Sequence, residues 1–262
     1  MDLQLKDKVF IVTGGAKGIG EGISRVLAAE GAKVAIIGRN EADNQKLTGE
    51  IQRSGGKAVA VQAELTRPEE VKKAVDGVIS LLGRIDGLVN NAGLNDGVGL
   101  ESGNYERFMQ SLHNNIVHYY LMAHFALPEL IRSKGSIVNI SSKAGETGQG
   151  NTSGYAASNG GRNALTREWA VELLKYEIRV NAIVVSECWT PQYADWIKKA
   201  EDSEARLKEI ISRIPLGHRM TTIEEIGNTA AFLLSAKSSH TTGQLIHVDG
   251  GYVHLDRALK NP

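Results

Sequence analysis

Tyr155 and Asn159 stand four residues apart in the stretch "NTSGYAASNGG", which reads as the start of a helix. Side chains at i and i+4 share one helix face, so both could reach the same ligand. A tyrosine can act as an acid or a base, but a free tyrosine has a pKa of about 10, and a nearby cation would have to lower it. Asn159 carries no charge. The pair therefore indicates either an active site that lacks one part or a helix face without a site.

A second candidate site lies at the first glycine-rich turn. The run "KVFIVT" (8–13) leads directly into "TGGAKGIGEG", in which Gly14, Gly18 and Gly20 open a helix. Glycines at a strand-to-helix turn let the backbone approach a pyrophosphate, which then binds at the helix N-terminus. The spacing G-x3-G-x-G differs from the common G-x-G-x-x-G fingerprint, and an ordinary tight turn is the alternative.

The end of the second predicted strand bears on the choice of cofactor. An acidic residue about 20 positions after the glycines would bind the ribose 2′-hydroxyl of NAD, but the sequence there reads Gly38, Arg39, Asn40. Lys17, inside the glycine turn, could converge with Arg39 on a 2′-phosphate. Two cations and no carboxylate favour NADP, with NAD as the alternative if both side chains are solvated surface charges.

These residues need a scaffold, and the rest of the chain predicts one. Short apolar runs alternate with helix-length segments, and the runs are mostly continuous, as in strands covered on both faces. The predicted strands are 8–13, 33–38, 57–62, 85–90, 135–141, 178–185 and 244–250, and the predicted helices include 19–30, 67–82, 115–132 and 154–175. This rhythm is typical of an α/β fold with a doubly wound parallel sheet. No linker or repeat interrupts it, so residues 1–262 are predicted to form a single domain.

The stretch 191–222 breaks this rhythm. It reads as charged amphipathic helix at a place where the next strand is expected. An insertion of this kind near the carboxyl edge of the sheet is typical of a substrate lid.

Composition restricts the class of protein. The 262 residues are 42% hydrophobic, and 30 Lys and Arg balance 30 Asp and Glu, so no basic surplus favours nucleic acid or an acidic membrane. The single cysteine, Cys188, excludes an internal disulfide and suits a reducing compartment. The first ten residues carry charges where a signal peptide is apolar, and no run approaches the roughly 18 apolar residues of a membrane span. We therefore expect a soluble, cytoplasmic protein.

Other kinds of chemistry lack support in the sequence. The seven histidines include no H-x-x-x-H pair, and Cys188 has no second cysteine as a ligand partner, so no metal site is predicted. Ser142 is not part of a G-x-S-x-G elbow, which argues against hydrolase chemistry.

Four motifs in one order give the strongest signal, and they are "TGGAKGIG" (13–20), "NNAG" (90–93), "NISS" (139–142) and "YAASN" (155–159). With them the chain resembles the short-chain dehydrogenase/reductase family, from about residue 6 to the "VDGG" at 248–251. The resemblance implies a Rossmann-type seven-stranded parallel sheet flanked by helices, a nicotinamide cofactor, a small-molecule substrate and a homotetramer or homodimer.

The resemblance also implies roles for individual residues. Tyr155 would exchange a proton with the substrate oxygen, Ser142 would hydrogen-bond that oxygen, and Asn115 would hold a water in the proton path. The residues that would bind the cofactor are Gly14, Gly18, Ile19 and Gly20 at the pyrophosphate, Glu64 and Leu65 at the adenine, Asn90, Ala92 and Gly93 at the adenosine ribose, and Ser186, Cys188 and Thr190 at the nicotinamide end.

Two positions depart from the family. Val185-Ser186 stands in place of a "PG" turn, and Asn159 stands where the family has lysine. That lysine bonds the nicotinamide ribose and stabilises the tyrosine phenolate by its charge, whereas asparagine could bond the ribose but has no charge. A phenol that titrates two to three pH units higher would deplete the active base by about a hundred- to a thousandfold at neutral pH. We therefore expect a chain that binds cofactor and turns over slowly.

Two nearby cations could replace the lysine. Lys143 follows Ser142 on the same loop, and Arg162 lies two helical turns after Tyr155. The sequence favours a solvated Lys143 and an Arg162 that makes a helix contact, with compensation by either as the alternative.

The substrate end of the site is predicted from the loops after two strands. Stretches such as "NISSKAGETGQGNTSGY" and "SECWTP" resemble the L-fucose dehydrogenase branch of the family, which oxidises the anomeric hydroxyl of the sugar to a lactone. A steroid-like secondary alcohol as substrate, and a cofactor-binding protein without turnover, are the alternatives. Polar groups beside an aromatic surface suit a sugar ring, and the candidates are Gln149, Glu187, Trp189 and Tyr193, of which the two aromatic residues could instead be core. Asn95 and Asp96 could add a sugar contact or form a surface turn.

Overall fold

The computed structural model describes residues 2–255, and seven parallel strands form its centre. The strands are β1 (Val9–Thr13), β2 (Lys33–Gly38), β3 (Lys57–Gln62), β4 (Gly87–Asn90), β5 (Ser136–Ser142), β6 (Arg179–Val185) and β7 (Leu245–Val248). They lie in the order β3-β2-β1-β4-β5-β6-β7, and every neighbouring pair is parallel. The predicted doubly wound, Rossmann-type sheet is confirmed, and each predicted strand boundary lies within two residues of the observed one.

The α-helices of residues 2–255 are divided between the two faces of the sheet and a segment outside it. They are α1 (Gly18–Ala29), α2 (Glu41–Arg53), α3 (Pro68–Leu82), α4 (Tyr105–Leu112), α5 (His118–Ser133), α6 (Ser153–Glu172), α7 (Pro191–Ile197), α8 (Ser203–Ser212) and α9 (Ile223–Leu234). Helices α1, α2 and α9 pack on one face, and α3, α5 and α6 pack on the other. The strand order reverses between β1 and β4, where the carboxyl ends of the strands leave a crevice for a ligand. Within the same residues, no helix combines the length and apolar character needed to cross a bilayer.

Strand β1 shows why continuous apolar runs form this sheet. All five residues of "VFIVT" are buried, and alternate side chains point to opposite faces. Phe10 and Val12 pack in the apolar cluster that includes α1 and α9, whereas Val9 and Ile11 pack in the one that includes α3 and α5. A run that is apolar and largely β-branched at every position therefore favours a central strand covered by two helical layers.

The helix predicted over 115–132 has a different form in the structure. Helix α4 runs into a π-helical turn at His113–Val117, and α5 begins at His118. A π-helical turn widens the helical repeat locally, so an apolar period near 3.6 residues does not reveal it. Such turns are frequent at functional sites, and this one contains Asn115.

The segment 191–222, predicted as charged amphipathic helix, contains two short helices. Helices α7 and α8 bring together a small apolar cluster of their own, formed by Ile197, Ile210, Ile214 and Met220. Thr221, near the end of the segment, pairs with Cys188 in an isolated parallel bridge. This bridge anchors the segment beside the loop that follows β6.

Candidate active site

The glycine turn between β1 and α1 has the shape that a bound pyrophosphate requires. Gly14 and Gly18 have positive φ angles of 60° and 55°, which favour glycine. A Cβ on Gly20 would overlap the carbonyl oxygen of Gly14, so a larger residue there requires the turn to shift. Lys17 precedes α1 without a side-chain cap hydrogen bond. The first backbone N–H groups of α1 can therefore bind an anion.

The loop after β6 faces this turn. A Cβ on Gly18 would lie 3.3 Å from the Cβ of Thr190, so the predicted pyrophosphate and nicotinamide ends of the site are adjacent. Ser186, in the same loop, has a buried hydroxyl oxygen with no hydrogen-bond partner among residues 2–255. A close-packed glycine turn, an open helix N-terminus and an unpaired buried hydroxyl fit a dinucleotide, whose nicotinamide ring supplies the hydride acceptor when it is bound.

The "NNAG" segment holds the glycine turn in place. The hydroxyl oxygen of Thr13 accepts hydrogen bonds from the backbone N–H groups of Asn91 at 2.9 Å and Ala92 at 3.2 Å. The side-chain amide of Asn91 donates to the carbonyl oxygens of Thr13 at 2.9 Å and Gly14 at 3.2 Å. Ile19 is half-buried and packs against the core from the first turn of α1. Sequence reasoning missed Thr13 and Asn91, although both belong to the motifs it used.

Three of the residues predicted at the adenosine are engaged by the protein itself. Asn90 is fully buried, and its amide donates to the Asn139 side-chain oxygen at 3.0 Å. Leu65 is buried in the core, and the Glu64 carboxylate accepts from the backbone N–H and the hydroxyl of Thr66. The packing between β4 and β5 turns the Asn90 side chain inward, so the predicted ribose contact is left to its backbone atoms and stays a prediction. The Leu65 side chain is likewise buried, in the cluster that includes α3 and α5.

The two cations predicted at a 2′-phosphate differ in their surroundings. Lys17 forms an ion pair with Asp43, with 2.7 Å between Nζ and Oδ2. Arg39 is exposed just after β2, and its carbonyl oxygen accepts from Gln62. Asn40 caps α2 by accepting from the backbone N–H of Asp43. The carboxylate of Asp43, which is absent from the predicted set, offsets part of the Lys17 charge.

Cys188 belongs to the apolar core rather than to a cofactor surface. It is buried in the cluster that includes α1 and α9. Burial raises the pKa of the Cys188 thiol to about 12, so the thiol stays protonated and unreactive at neutral pH. The predicted cofactor contact is therefore not available to its side chain, because the loop turns that side chain inward.

Ser142 ends β5 and Tyr155 lies in the first turn of α6, and packing joins the segments that carry them. A Cβ on Gly145 would lie 2.8 Å from the carbonyl carbon of Asn159, so the loop after Ser142 rests directly on the backbone of α6. The Ser142 hydroxyl oxygen accepts from the backbone N–H of Ala144 at 3.3 Å. Its own proton is therefore left for another acceptor, such as a substrate oxygen.

A chain of polar contacts that the sequence did not predict runs from β5 to β7. The Ser141 hydroxyl donates to the Asn163 side-chain oxygen at 2.7 Å, and the Asn163 amide donates to the Glu146 carboxylate at 3.2 Å. The other oxygen of that carboxylate lies 2.9 Å from Nε2 of His247 on β7. These contacts fix the loop after Ser142 between α6 and the last strand.

His254 joins the end of this chain. The rings of His247 and His254 meet edge to face, with 4.4 Å between their centres, and their ring nitrogens and the Glu146 carboxylate lie within 4.8 Å of one another. The sequence predicts no metal site and gave no sign of this group, because its members are far apart along the chain. The hydrogen bond and the ring contact account for its geometry.

Asn115 makes hydrogen bonds through both its side chain and its carbonyl oxygen. Its Oδ1 accepts from the backbone N–H of Leu94 at 2.8 Å, and its Nδ2 donates to the carbonyl oxygen of Ser111 at 2.9 Å. Its own carbonyl oxygen accepts from Nε of Arg162 at 2.7 Å and also from Nη2. The guanidinium therefore occupies the carbonyl oxygen, whereas the side-chain amide has a second proton and its oxygen a second lone pair. The predicted water at Asn115 stays a prediction.

Lys143 is nearly buried, and the prediction that it is solvated is wrong. It forms an ion pair with Glu187, and the two side chains are 11% and 12% exposed. The strand register explains the contact, because Ser142 on β5 pairs with Val185 on β6. The loops that follow these strands lie side by side, and the residues one and two positions further on meet.

Two of the other predicted substrate residues, Tyr193 and Trp189, lie beside this ion pair. Tyr193 donates its hydroxyl to Glu187 at 2.6 Å, and burial, together with that carboxylate, raises the pKa of Tyr193 well above its ordinary value. Trp189 is 46% exposed, with 6.3 Å between its ring and that of Tyr193, so it is a surface residue rather than core. Gln149 is exposed on the loop before α6. Polar and aromatic groups therefore do meet after β5 and β6.

Asn95 and Asp96 form a turn rather than an open pair of polar groups. The Asn95 side chain accepts from the backbone N–H of Gly97 at 3.3 Å, and the Asp96 carboxylate accepts from the Ser111 hydroxyl at 2.9 Å. Gly97 has a positive φ of 66°. Of the two interpretations, the geometry favours the turn.

Comparison with known proteins decides the family. A family model described as "Enoyl-(Acyl carrier protein) reductase" matches residues 14–253. The L-fucose dehydrogenase of Oryctolagus cuniculus is 36% identical over 245 residues, which cover 93% of this chain and 84% of that protein. The chain belongs to the short-chain dehydrogenase/reductase family of oxidoreductases.

Other members of the family show how broad the match is. The 3-oxoacyl-(acyl-carrier-protein) reductase of Thermotoga maritima is 34% identical and covers 96% of this chain and 100% of its own. The solved structure titled "Crystal structure of Cj0485 dehydrogenase" is 44% identical, covers 100% of both chains and gives a TM-score of 0.94. The names differ in substrate, so the family fixes the class of chemistry more firmly than the molecule it acts on.

Asn159 occupies the position of the family lysine and is fully buried. Its Nδ2 donates to the carbonyl oxygen of Tyr155 at 2.8 Å, and its Oδ1 accepts from Nη1 of Arg162 at 3.0 Å. Both ends of this amide are therefore bonded to the protein in this geometry, and the predicted ribose contact stays a prediction. Arg162 does make the predicted helix contact, but it also extends to β5 and to the π-helical turn.

Proposed function

We propose that this chain oxidises the anomeric hydroxyl of L-fucose, or of a closely related aldose, to the lactone, with NADP as the hydride acceptor. The observation that carries the substrate class is the nearly buried group of Lys143, Glu187 and Tyr193 beside the exposed ring of Trp189. Fixed polar groups next to an aromatic face suit a sugar ring, whereas a steroid pocket is more uniformly apolar. Relatives named L-fucose dehydrogenase, at 34 to 36% identity, support the same choice.

The proposed chemistry assigns one task to each residue beside the substrate. The phenolate of Tyr155 accepts the proton of the anomeric hydroxyl, and the Ser142 hydroxyl donates a hydrogen bond to the same oxygen. The carbon-bound hydrogen leaves as hydride, and the ring oxygen stabilises the carbonyl that forms. Asn115 supports the site through its contacts with the Leu94 backbone and Arg162.

NADP, rather than NAD, is the proposed cofactor because of the charges after β2. Arg39 is exposed there, and the crevice end of β2 carries no carboxylate at positions 38–40. Lys17 adds less, since Asp43 is paired with it. NAD is the alternative, and a direct comparison of the two affinities separates them.

The slow turnover expected at Asn159 stays a prediction, because an amide carries no charge. The guanidinium of Arg162, 3.0 Å from the amide oxygen, is a nearby positive charge that would raise the rate of turnover. If the missing lysine charge dominates, Asn159→Lys should raise kcat. If the Arg162 charge replaces it, the same substitution should lower kcat.

The segment 191–222 is proposed to cover the sugar. Helices α7 and α8 share a small apolar cluster with Ile214 and Met220, and Tyr193 on α7 contacts Glu187 in the loop after β6. A homotetramer or homodimer is the proposed assembly. Tyr120 on α5 and Val171 on α6 are 53% and 68% exposed, so these helices have apolar surface for contact with a second copy. Light scattering of the purified protein should give a mass of two or four chains. A cytoplasmic location suits the free thiol of Cys188.

Cofactor reduction against a panel of aldoses and steroid alcohols tests the proposal. We expect NADPH formation with L-fucose, little with steroid alcohols, and a loss of at least about a thousandfold in kcat for Tyr155→Phe. Tyr105→Phe, at an exposed tyrosine on α4, is the matched control and should behave like the parent. Tight NADPH binding without turnover of any alcohol would instead favour a cofactor-binding protein.

A further inference from the structure

The guanidinium of Arg162 is a buried cation at the junction of the π-helical turn, β5 and α6. Arg162 is 3% exposed, and its hydrogen bonds within residues 2–255 all go to uncharged oxygen atoms. It also lies over the ring of Tyr119, 4.3 Å from its centre. Arginine keeps its charge at any working pH, and a buried charge without an anion is costly. An anion that forms in the site during reaction would offset that cost.

This guanidinium joins the three segments that carry the predicted catalytic side chains. It donates to the carbonyl oxygen of Asn115 in the π-helical turn. It donates to the carbonyl oxygen of Ile140 at 3.1 Å, two residues before Ser142 on β5. It donates to the Asn159 amide oxygen, and that amide donates to the carbonyl oxygen of Tyr155. A single cation therefore positions all three segments.

The "NNAG" motif leaves room for this cation. A Cβ on Gly93 would lie 2.8 Å from Nη2 of Arg162 and 2.8 Å from Oδ1 of Asn115. A side chain there would push against a group held by several hydrogen bonds. Gly93, predicted at the adenosine ribose, thus also shapes the space around the guanidinium.

We propose that Arg162 supplies the positive charge that the family lysine provides, and that Asn159 holds the guanidinium in place, so that two side chains replace one. The inference rests on the proposed dehydrogenase function. Arg162 is a positioning residue, since its bonds are to the protein, and the Asn159 amide links it to the Tyr155 backbone, so that its charge favours the Tyr155 phenolate. A lysine at position 159 would then be harmful, because it would place a second cation against a buried guanidinium. This reverses the expectation drawn from the sequence alone.

A double-mutant cycle tests this replacement. The variants are N159K, R162M and N159K/R162M, with R162K as the conservative change and R167M, at an exposed arginine of the same helix, as the matched control. We expect R162M to lower kcat about a hundredfold while the KM for L-fucose and the Kd for NADPH stay within about threefold, and R162K to retain kcat within about tenfold. N159K should lower both Tm and kcat, and N159K/R162M should recover kcat to within about tenfold of the parent.

The outcomes separate this inference from the proposed function. A rise in kcat for N159K alone, or single effects that simply add in the double variant, would overturn the replacement. Loss of kcat in R162K as complete as in R162M would also overturn it, because a charge-based role tolerates lysine. If the parent turns over no sugar, the substrate proposal fails. A Tm that falls in N159K and recovers in N159K/R162M would then support one cation at this place, whereas an unchanged Tm in N159K would overturn the replacement.

Discussion

The ammonium group of Lys143 and the carboxylate of Glu187 form a nearly buried ion pair between the loops that follow β5 and β6. Each loop belongs to a different strand of the sheet, and Ser142, which precedes Lys143, is the residue expected to bind the substrate oxygen. The pair therefore joins the loops of both strands at the proposed substrate site. Its contribution to the free energy of unfolding can be compared with that of an exposed ion pair elsewhere on the chain.

Glu187→Gln should destabilise the protein and weaken sugar binding. The change keeps the size of the side chain but leaves the Lys143 charge poorly solvated, which costs about 2 to 3 kcal/mol of unfolding free energy. Urea unfolding measures this, and the KM for L-fucose should rise. Glu177→Gln is the control, because the Lys134–Glu177 pair is 64% and 69% exposed and such pairs contribute about 1 kcal/mol or less. Equal stability losses in the two variants would show that burial of the Lys143 pair is unimportant.

Arg39→Ala should reduce NADP affinity more than Lys17→Ala. Arg39 is exposed after β2, whereas Lys17 shares its charge with Asp43. We expect the Kd for NADP to rise about tenfold in the first variant and about threefold in the second, with the Kd for NAD nearly unchanged in both. Fluorescence titration of each cofactor measures these values. A parent that binds NAD more tightly than NADP would contradict the cofactor assignment.

Gly20→Ala should abolish tight cofactor binding. The added Cβ would overlap the backbone oxygen of Gly14, and since a backbone atom cannot move aside as a side chain does, the turn must shift at a cost of about 1 to 3 kcal/mol. Gly77→Ala on α3 is the matched control, because nothing lies within 4 Å of its added Cβ. That variant should gain about 0.5 to 1 kcal/mol in unfolding free energy. Unchanged NADPH binding in Gly20→Ala would refute the assignment of the turn.

Stability should fall in acid through His118, the first residue of α5. Burial, and next the charge of Arg162, lower the pKa of His118 from 6.5 to about 3. Below pH 6.5 the unfolded chain takes up a proton that the folded chain refuses, so the contribution is complete above about pH 6.5 and is lost as the pH falls toward 3. The loss approaches about 1.4 kcal/mol per pH unit.

Urea unfolding between pH 7 and 4 measures this contribution, and His118→Gln should flatten the slope. Glutamine does not titrate and can still donate to the Asn114 carbonyl oxygen that His118 contacts. His240→Gln, at an exposed histidine, is the control and should keep the slope of the parent. The same slope in all three proteins would mean that other groups dominate the acid response.

The sheet and the glycine turn could be predicted because their signals are local. β1 is apolar at each of its first four positions, and it runs directly into glycines with positive φ. Each of these features depends on neighbours in the sequence. For the same reason Tyr155 and Ser142 could be placed at the ends of their elements before any geometry was known.

The surroundings of the site could not be predicted, because they depend on contacts between distant segments. Lys143 meets Glu187 only through the register of β5 against β6. Arg162 reaches Asn115 only because a π-helical turn presents that carbonyl oxygen to it. A charged residue on a helix more often faces solvent, so the sequence alone favoured a smaller role for both cations.

The contact between Glu146 and His247 spans 101 residues of the chain. Glu146 lies just after the strand that carries Ser142, whereas His247 lies on β7, the last strand among residues 2–255. Domains fold as units, and a ribosome adds about 5 to 20 residues each second. The glycine turn and β1 to β5 are therefore exposed for several seconds before β7 arrives to fix the loop beside Ser142. During synthesis the chain should gain the capacity to hold a nucleotide before it gains a finished catalytic centre.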